Sequence, residues 1–273
     1  MGEEVSASDV VVDGIRTRIE QRGEGSTLLL VHGLGGPLMW QRIIDPLAKN
    51  FHVVSVHLPG FGESDCPSEL FTTDRYADFL CDLLDRFNLK STSLLGISYG
   101  GQIAATLAHK HPKRVYKLVL IASTGLGDHP LLKRKFAWKI VAGCAKHIVL
   151  RSEWLTCLFG RFSFYDAKSR PKDLCRKFHE QISGVGKADT WANALWNVVS
   201  VGNEFRQKLQ SLHTPTLIMW GKHDRILPPR LAEEFQQLIP NSTVKVLHAC
   251  GHSVPLEKVG EVGEEIARFV LRR

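Results

Sequence analysis

The chain has 273 residues, 44% hydrophobic and 23% charged, a balance near the globular average that excludes a disordered, collagenous or coiled-coil protein. A chain of this length can bury about three quarters of its unfolded surface, in one large domain or two small ones. Its net charge of +7, from 35 Lys and Arg against 28 Asp and Glu, permits an anionic partner without naming one. The longest apolar runs, such as Leu28 to Val31 and Leu118 to Ala122, are strand-sized and far below the ~18 residues that cross a bilayer. The start, Met1-Gly2-Glu3-Glu4, lacks the basic and apolar regions of a signal peptide. Gly2 with Ser6 fits a myristoylation pattern only weakly, because acidic residues follow and no polybasic stretch does. Six cysteines (Cys66, Cys81, Cys144, Cys157, Cys175, Cys250) form no CxxC pair and read as reduced packing thiols. The expected location is cytoplasmic.

In chain order, Val10–Val12 and Ile15–Glu20 flank Asp13-Gly14, a dipeptide that tolerates the positive φ of a hairpin turn. Six β-rich runs follow: Leu28–Val31, Val53–Val56, Ser93–Gly96, Lys117–Ile121, Thr216–Trp220 and Thr243–Leu247. Between most of them apolar residues recur at helical spacing, as in Tyr76, Phe79, Leu80, Leu83, Leu84 and Phe87. Strands alternating with helices predict an α/β protein with a mostly parallel sheet flanked by helices. From Gly125 to Glu204 no strand is predicted, only helical spacing (Leu132, Phe136, Ile140, then Trp154, Leu158, Phe162). That stretch reads as a helical insertion between two strands.

Gly96-Ile97-Ser98-Tyr99-Gly100 matches G-x-S-x-G between an apolar run and a helical one. A serine on so sharp a turn needs glycine neighbours such as Gly96 and Gly100, and its hydroxyl stands at the positive end of the next helix. Serine needs a base, and the base an orienting acid. Asp224 follows the strand ending near Trp220, and His252 follows the one ending near Leu247, in the chain order Ser, acid, His. All three fall beyond the carboxyl ends of parallel strands, where open α/β sheets place their sites. His32-Gly33-Leu34-Gly35-Gly36 follows the strand Leu28–Val31, and the Leu34 and Tyr99 backbone N–H groups are the candidate oxyanion donors.

These motifs resemble a serine α/β-hydrolase of the capped esterase and lipase-like superfamily, which is also similar to C–C bond hydrolases. The resemblance rests on the glycine loop at 32–36, His57-Leu58-Pro59-Gly60-Phe61-Gly62, the turn at Ser98, Asp224 and Gly251-His252, in family order. It implies an eight-stranded sheet with a cap inserted after strand 6: a body of residues 1–124 and 205–273 and a cap of residues 125–204. His57 departs from the aspartate usual at that place, which concerns the bracing of a loop. Ser98 at the nucleophile position disfavours dehalogenases and epoxide hydrolases. The implied activity is hydrolysis of an apolar carboxylic ester through an acyl-enzyme. The alternatives are C–C cleavage of a ring-cleavage diketo product by the same triad, or a hydrolase-fold receptor with vestigial turnover.

Rival residues exist for each role. Asp128 follows the sixth strand but starts the cap, so Asp224 is preferred; His248 lies at a strand end and is read as packing, so His252 is preferred. His32 reads as a brace for the glycine loop, and Cys250 as a packed loop thiol. His109 and His111 are two apart, on different sides of a helix, and no HExxH or acidic cluster accompanies them. No metal, cofactor or nucleic acid is expected, because the glycines match neither a nucleotide fingerprint nor a P-loop.

The cap stretch holds 10 of the 23 aromatics, and Trp138, Trp154, Trp191 and Trp196 are candidates for an apolar pocket. It also carries 13 Lys and Arg against 7 Asp and Glu. The plainer account of that charge is a solvated face. The sharper one is weak contact with an anionic substrate or membrane, for which Phe136 and Trp138 among Lys133, Arg134, Lys135 and Lys139 are suited.

Overall fold

A computed structural model describes residues 6–126 and 152–272. Its centre is an eight-stranded sheet in the order β1-β2-β4-β3-β5-β6-β7-β8. The hairpin of β1 (Ser6–Val12) and β2 (Ile15–Arg22) turns through Asp13 at φ 49° and Gly14 at φ 73°, as Asp-Gly predicts. β2 pairs antiparallel with β4 (His52–Val56), and every later pairing is parallel: β3 (Thr27–Val31), β5 (Thr92–Ile97), β6 (Val115–Ile121), β7 (Thr216–Gly221) and β8 (Ser242–Leu247). The strands expected from sequence are all present, most extended by a residue or two.

The central strands are covered on both faces, which is why they read as unbroken apolar runs. Every residue of β5 and β7 is buried. Burying Leu94, Leu95, Ile97, Ile218 and Met219 stabilises the sheet by about 2 kcal/mol each before entropy is counted. The flanking helices are α1 (Ile44–Ala48), α2 (Thr73–Arg86) and α3 (Tyr99–Lys110). Thr72 caps α2 by accepting from the Arg75 amide, and Tyr76, Phe79, Leu80, Leu83 and Leu84 form its buried face, as their spacing predicts. Pro112 opens a short 3-10 turn ahead of β6, and Pro215 directly precedes β7.

Between β6 and β7 the described residues are helical: α4 (Glu153–Arg161), α5 (Leu174–Ile182), α6 (Lys187–Val199) and α7 (Asn203–Gln210). After β7 come α8 (Leu231–Leu238), the short α9 (Val254–Glu257) and α10 (Val259–Leu271). Among the described residues no helix is long and apolar enough to cross a membrane.

Two expectations change here. Trp154 and Leu158 lie on α4 and Phe162 just past its end, but they are 70%, 40% and 51% exposed, so the stripe faces solvent rather than packing. Among the described side chains of α4, Thr156 is buried, and its hydroxyl donates to the Ser152 carbonyl. Cys157 is not a reduced thiol: it is disulfide-bonded to Cys175 of α5, with Cα atoms 5.1 Å apart. Helix packing brings the two together across 18 residues, a pairing that carries no local spacing signature. Cys66, Cys81 and Cys250 are free. The basic cluster, Phe136, Trp138, Asp128 and Cys144 lie outside the described residues. The described part of the insertion, 152–204, holds seven Lys and Arg against six Asp and Glu, so the charge excess belongs to the segment before it.

Opening the Cys157–Cys175 loop should lower stability by about 3 kcal/mol, the usual size for a loop of this length. Thermal melts with and without a phosphine reductant, paired with thiol counting by alkylation and intact mass, would test this. Identical melts and six alkylated thiols before reduction would contradict the bond.

Candidate active site

The site starts from a strained turn. Ser98, between β5 and α3, has φ 54° and ψ −122°, a conformation that costs a side-chain-bearing residue about 1–3 kcal/mol. Close backbone packing holds it there. A Cβ on Gly100 would collide with the Val31 and His32 carbonyls, and one on Gly96 would meet the Gly100 carbonyl at 2.5 Å. The Ser98 amide donates to Ile121 of β6 (2.9 Å), and its carbonyl accepts from Gly101 (3.0 Å) and Thr124 (3.1 Å). Tyr99 opens α3, so its amide has no acceptor within the helix.

The glycine loop comes against this turn. A Cβ on Gly33 would lie 2.9 Å from the Ser98 Cβ and 3.1 Å from the Tyr99 nitrogen, so only glycine permits the approach. The Gly33 carbonyl accepts from the Gly36 amide (3.1 Å) and from His32 Nδ1 (2.8 Å). His32 Nε2 accepts from the Leu58 amide at 3.1 Å, which assigns the proton to Nδ1. Burial lowers the His32 pKa to about 3, so the ring is neutral. A trans peptide sets N–H opposite C=O, and clamping the Gly33 carbonyl therefore aims the Leu34 N–H the other way. That N–H donates to no other described residue. The Leu34 carbonyl is held in turn by the Trp191 indole of α6, at 3.1 Å.

The acid sits two strands away and the base three. Asp224, on the loop after β7, accepts through Oδ1 from the Ile226 and Leu227 amides, both at 2.8 Å. Its Oδ2 accepts from His252 Nδ1 at 2.7 Å. The carboxylate is fully shielded from solvent, where a charged hydrogen bond is strong. With Nδ1 donating to Asp224, a neutral His252 presents an unprotonated Nε2. The His223 amide donates to the Cys250 carbonyl (2.9 Å), which staples the two loops together.

The structure thus places Ser98, Asp224 and His252 after β5, β7 and β8, and seats Gly33 against Ser98 and the Tyr99 nitrogen, with Leu34 next in the chain and Gly96 packed on Gly100. Gly35 packs on the Met39 side chain. His248 is exposed rather than packed. Cys250 is buried, and desolvation pushes its thiol up to about 12, which leaves it inert as a nucleophile. His109 and His111 bond separately, to Ser211 and Asp78, and no metal-binding group of residues occurs among the described ones. His57 braces its loop as an acceptor: Nδ1 takes the Glu63 amide (3.1 Å), and Nε2 lies 3.5 Å from Glu20, long for a hydrogen bond.

Of the tryptophans expected in a pocket, Trp191 and Trp196 are half-buried on α6, Trp154 is solvent-exposed, and Trp138 is outside the described residues. A surface cleft of about 320 Å³, lined by Asp13, Asp65, Cys66, Glu69, Phe71 and Arg75 among others, includes none of the site residues. Sequence reasoning missed three contributors. They are Trp191 as a donor to the glycine loop, Gly36 as the second clamp on Gly33, and Glu257, whose carboxylate accepts from the Gly251 amide.

A family model described as alpha/beta hydrolase fold matches residues 26–259. The chain is 30% identical over 253 residues to the dihydrolipoyllysine-residue acetyltransferase component of the acetoin cleaving system of Cupriavidus necator, covering 92% of this chain but only 65% of that protein. It is 26% identical to the 2-hydroxymuconate semialdehyde hydrolase of Pseudomonas sp. (strain CF600), covering 96% of this chain and 93% of that one. A solved bacterial membrane phospholipase A superposes with a TM-score of 0.79 at 27% identity, covering 97% and 86% of the two chains.

The depressed His32 pKa has a stability consequence. A histidine that titrates near 6.5 when unfolded and near 3 when folded stabilises the fold fully above pH 6.5 and loses that contribution as pH falls toward 3. Denaturant melts between pH 7 and 4 should show the wild type losing stability with acid more steeply than His32→Gln, by roughly 1 kcal/mol per pH unit. Equal slopes would place the charge elsewhere.

Proposed function

The chain belongs to the alpha/beta hydrolase fold family, and from that we propose that it is a serine hydrolase of carboxylic esters with an apolar acyl or alcohol part. The observation that supports this reading is the seating of Gly33 against Ser98 and the Tyr99 nitrogen, the approach expected if Ser98 is the nucleophile and the Leu34 and Tyr99 amides bind an oxyanion.

In this reading Ser98 Oγ attacks the ester carbonyl while His252 Nε2 takes its proton. The Leu34 and Tyr99 amides bind the resulting oxyanion, each contributing on the order of 3 kcal/mol to the transition state. The tetrahedral intermediate collapses, the carbonyl–alkoxide bond breaks, and His252 returns the proton to the leaving alcohol. Water, deprotonated by the same nitrogen, then cleaves the acyl-enzyme and releases the acid. Asp224 holds the imidazole in the tautomer with Nε2 free and stabilises the imidazolium. The body and cap division at 125 and 204 is part of this reading, with the cap helices supplying the apolar wall. The likeness to a phospholipase A supports an ester.

A second reading is hydrolysis of a ring-cleavage product, and the match to a 2-hydroxymuconate semialdehyde hydrolase along nearly all of both chains favours it. The same groups serve both reactions, so substrate alone separates them. Purified protein should turn over p-nitrophenyl esters and label at Ser98 with a fluorophosphonate. Ser98→Ala should abolish labelling, and Asp224→Asn should lower kcat by about 10³–10⁴. Turnover of a ring-cleavage dienoate in place of esters would select the second reading. Labelling without multiple turnovers on a broad panel would instead mark a hydrolase-fold receptor.

A further inference from the structure

A half-buried carboxylate near the site has no part in the chemistry above. Glu257 ends α9, five residues after His252. Its Oε1 accepts from the Gly251 amide at 2.9 Å, and its Oε2 accepts from the Tyr165 amide at 2.7 Å. Tyr165 lies in the insertion, just after α4. On the other side of the histidine, the Ser253 amide donates to the Ser163 carbonyl at 2.9 Å. The residues before and after His252 are therefore both tied to the same three-residue stretch, 163–165.

Packing reinforces the junction. A Cβ on Gly251 would lie 2.7 Å from the Tyr165 nitrogen and 2.8 Å from the Ser163 oxygen, so the two backbones touch. Phe164 is buried against Leu174 of α5 and Leu256 of α9, and the Tyr165 ring lies 4.5 Å from that of His223, next to Asp224. Burial pushes the Glu257 carboxyl above the usual range, against the pull of the amides that face it. Taking even part of a carboxylate out of water is costly. What the carboxylate supplies, and an amide cannot, is acceptor oxygens on both arms. Glutamine would turn an NH₂ toward one of the two amide donors and leave that donor unpaired.

Resting on the serine-hydrolase reading, we propose that Glu257 is a positioning residue for the base His252, fixing its loop by clamping Gly251 to Tyr165 of the inserted helical segment. His252 is then held from two directions, by Asp224 from the body and through Glu257 from the insertion. The cap is wired to the base and is more than a cover over it. The indole of Trp191 reaches the oxyanion loop from the same insertion, so the position of these helices bears on both halves of the site.

The test compares wild type, Glu257→Gln and Glu257→Asp by ester kinetics and by the far-downfield proton resonance of the His252 Nδ1–H. The proposal expects the Gln variant to lose roughly 10- to 100-fold in kcat with little change in KM, and its resonance to shift or broaden. The Asp variant, which keeps two acceptors on a shorter arm, should recover part of both. A lower melting temperature with unchanged kcat and an unchanged resonance would reduce Glu257 to a structural residue and overturn the proposal. Should the Gln variant not fold, the Asp variant decides by the same readouts. The resonance requires no substrate, so it tests Glu257 even if the wild type proves inactive on esters, an outcome that would fault the ester reading instead.

Discussion

A serine held at φ 54° between a fully buried strand and a buried helix is the constraint on which the site depends. Such a turn is uphill for any residue with a side chain, so its surroundings must overdetermine it. They do so by excluding atoms. Gly96 and Gly100 let helix α3 start directly over β5, and Gly33 lets the neighbouring loop close on the same point. The parallel pairing of β3 with β5 makes this possible, because Val31 lies beside Gly96 and both chains leave the sheet at one edge.

From that edge outward, orientation is set by hydrogen bonds to backbone. The peptide between Gly33 and Leu34 is turned by two donors on its carbonyl, one of them a histidine kept neutral by burial. Asp224 spends one oxygen on two amides of its own loop and the other on His252. In each case a hydrogen bond fixes the direction of a group at the head of a site loop. The inserted helices join this scaffold through Trp191 on one side and Ser163 and Tyr165 on the other.

Much of this was legible before any coordinate. The Asp-Gly hairpin, the apolar runs of β3 to β8 and the amphipathic spacing of α2 are local signals, because hydrogen-bond geometry and burial impose a period on the residues that meet them. The chain order of Ser98, Asp224 and His252 was readable for a related reason. Each follows a strand in a sheet whose parallel topology sends those loops to one edge. The failures are equally physical. The spacing of Trp154, Leu158 and Phe162 marked a helix but not which side packs, since three apolar residues at helical spacing are silent about what lies opposite. Cys157 and Cys175 lacked any motif because their meeting depends on how α4 sits on α5.

Taken alone, then, the sequence determined the class of fold, the order of its elements and the residue types at the head of each site loop. These depend on chemistry within a few residues of each position. Tertiary structure alone decided which carbonyl turns the Leu34 amide, which face of α4 meets water, and that Glu257 spans from the histidine loop to residue 165. Those facts depend on pairs separated by up to 157 residues in the chain, as for Trp191 and Leu34, and only the folded sheet with its inserted helices brings them within hydrogen-bond reach.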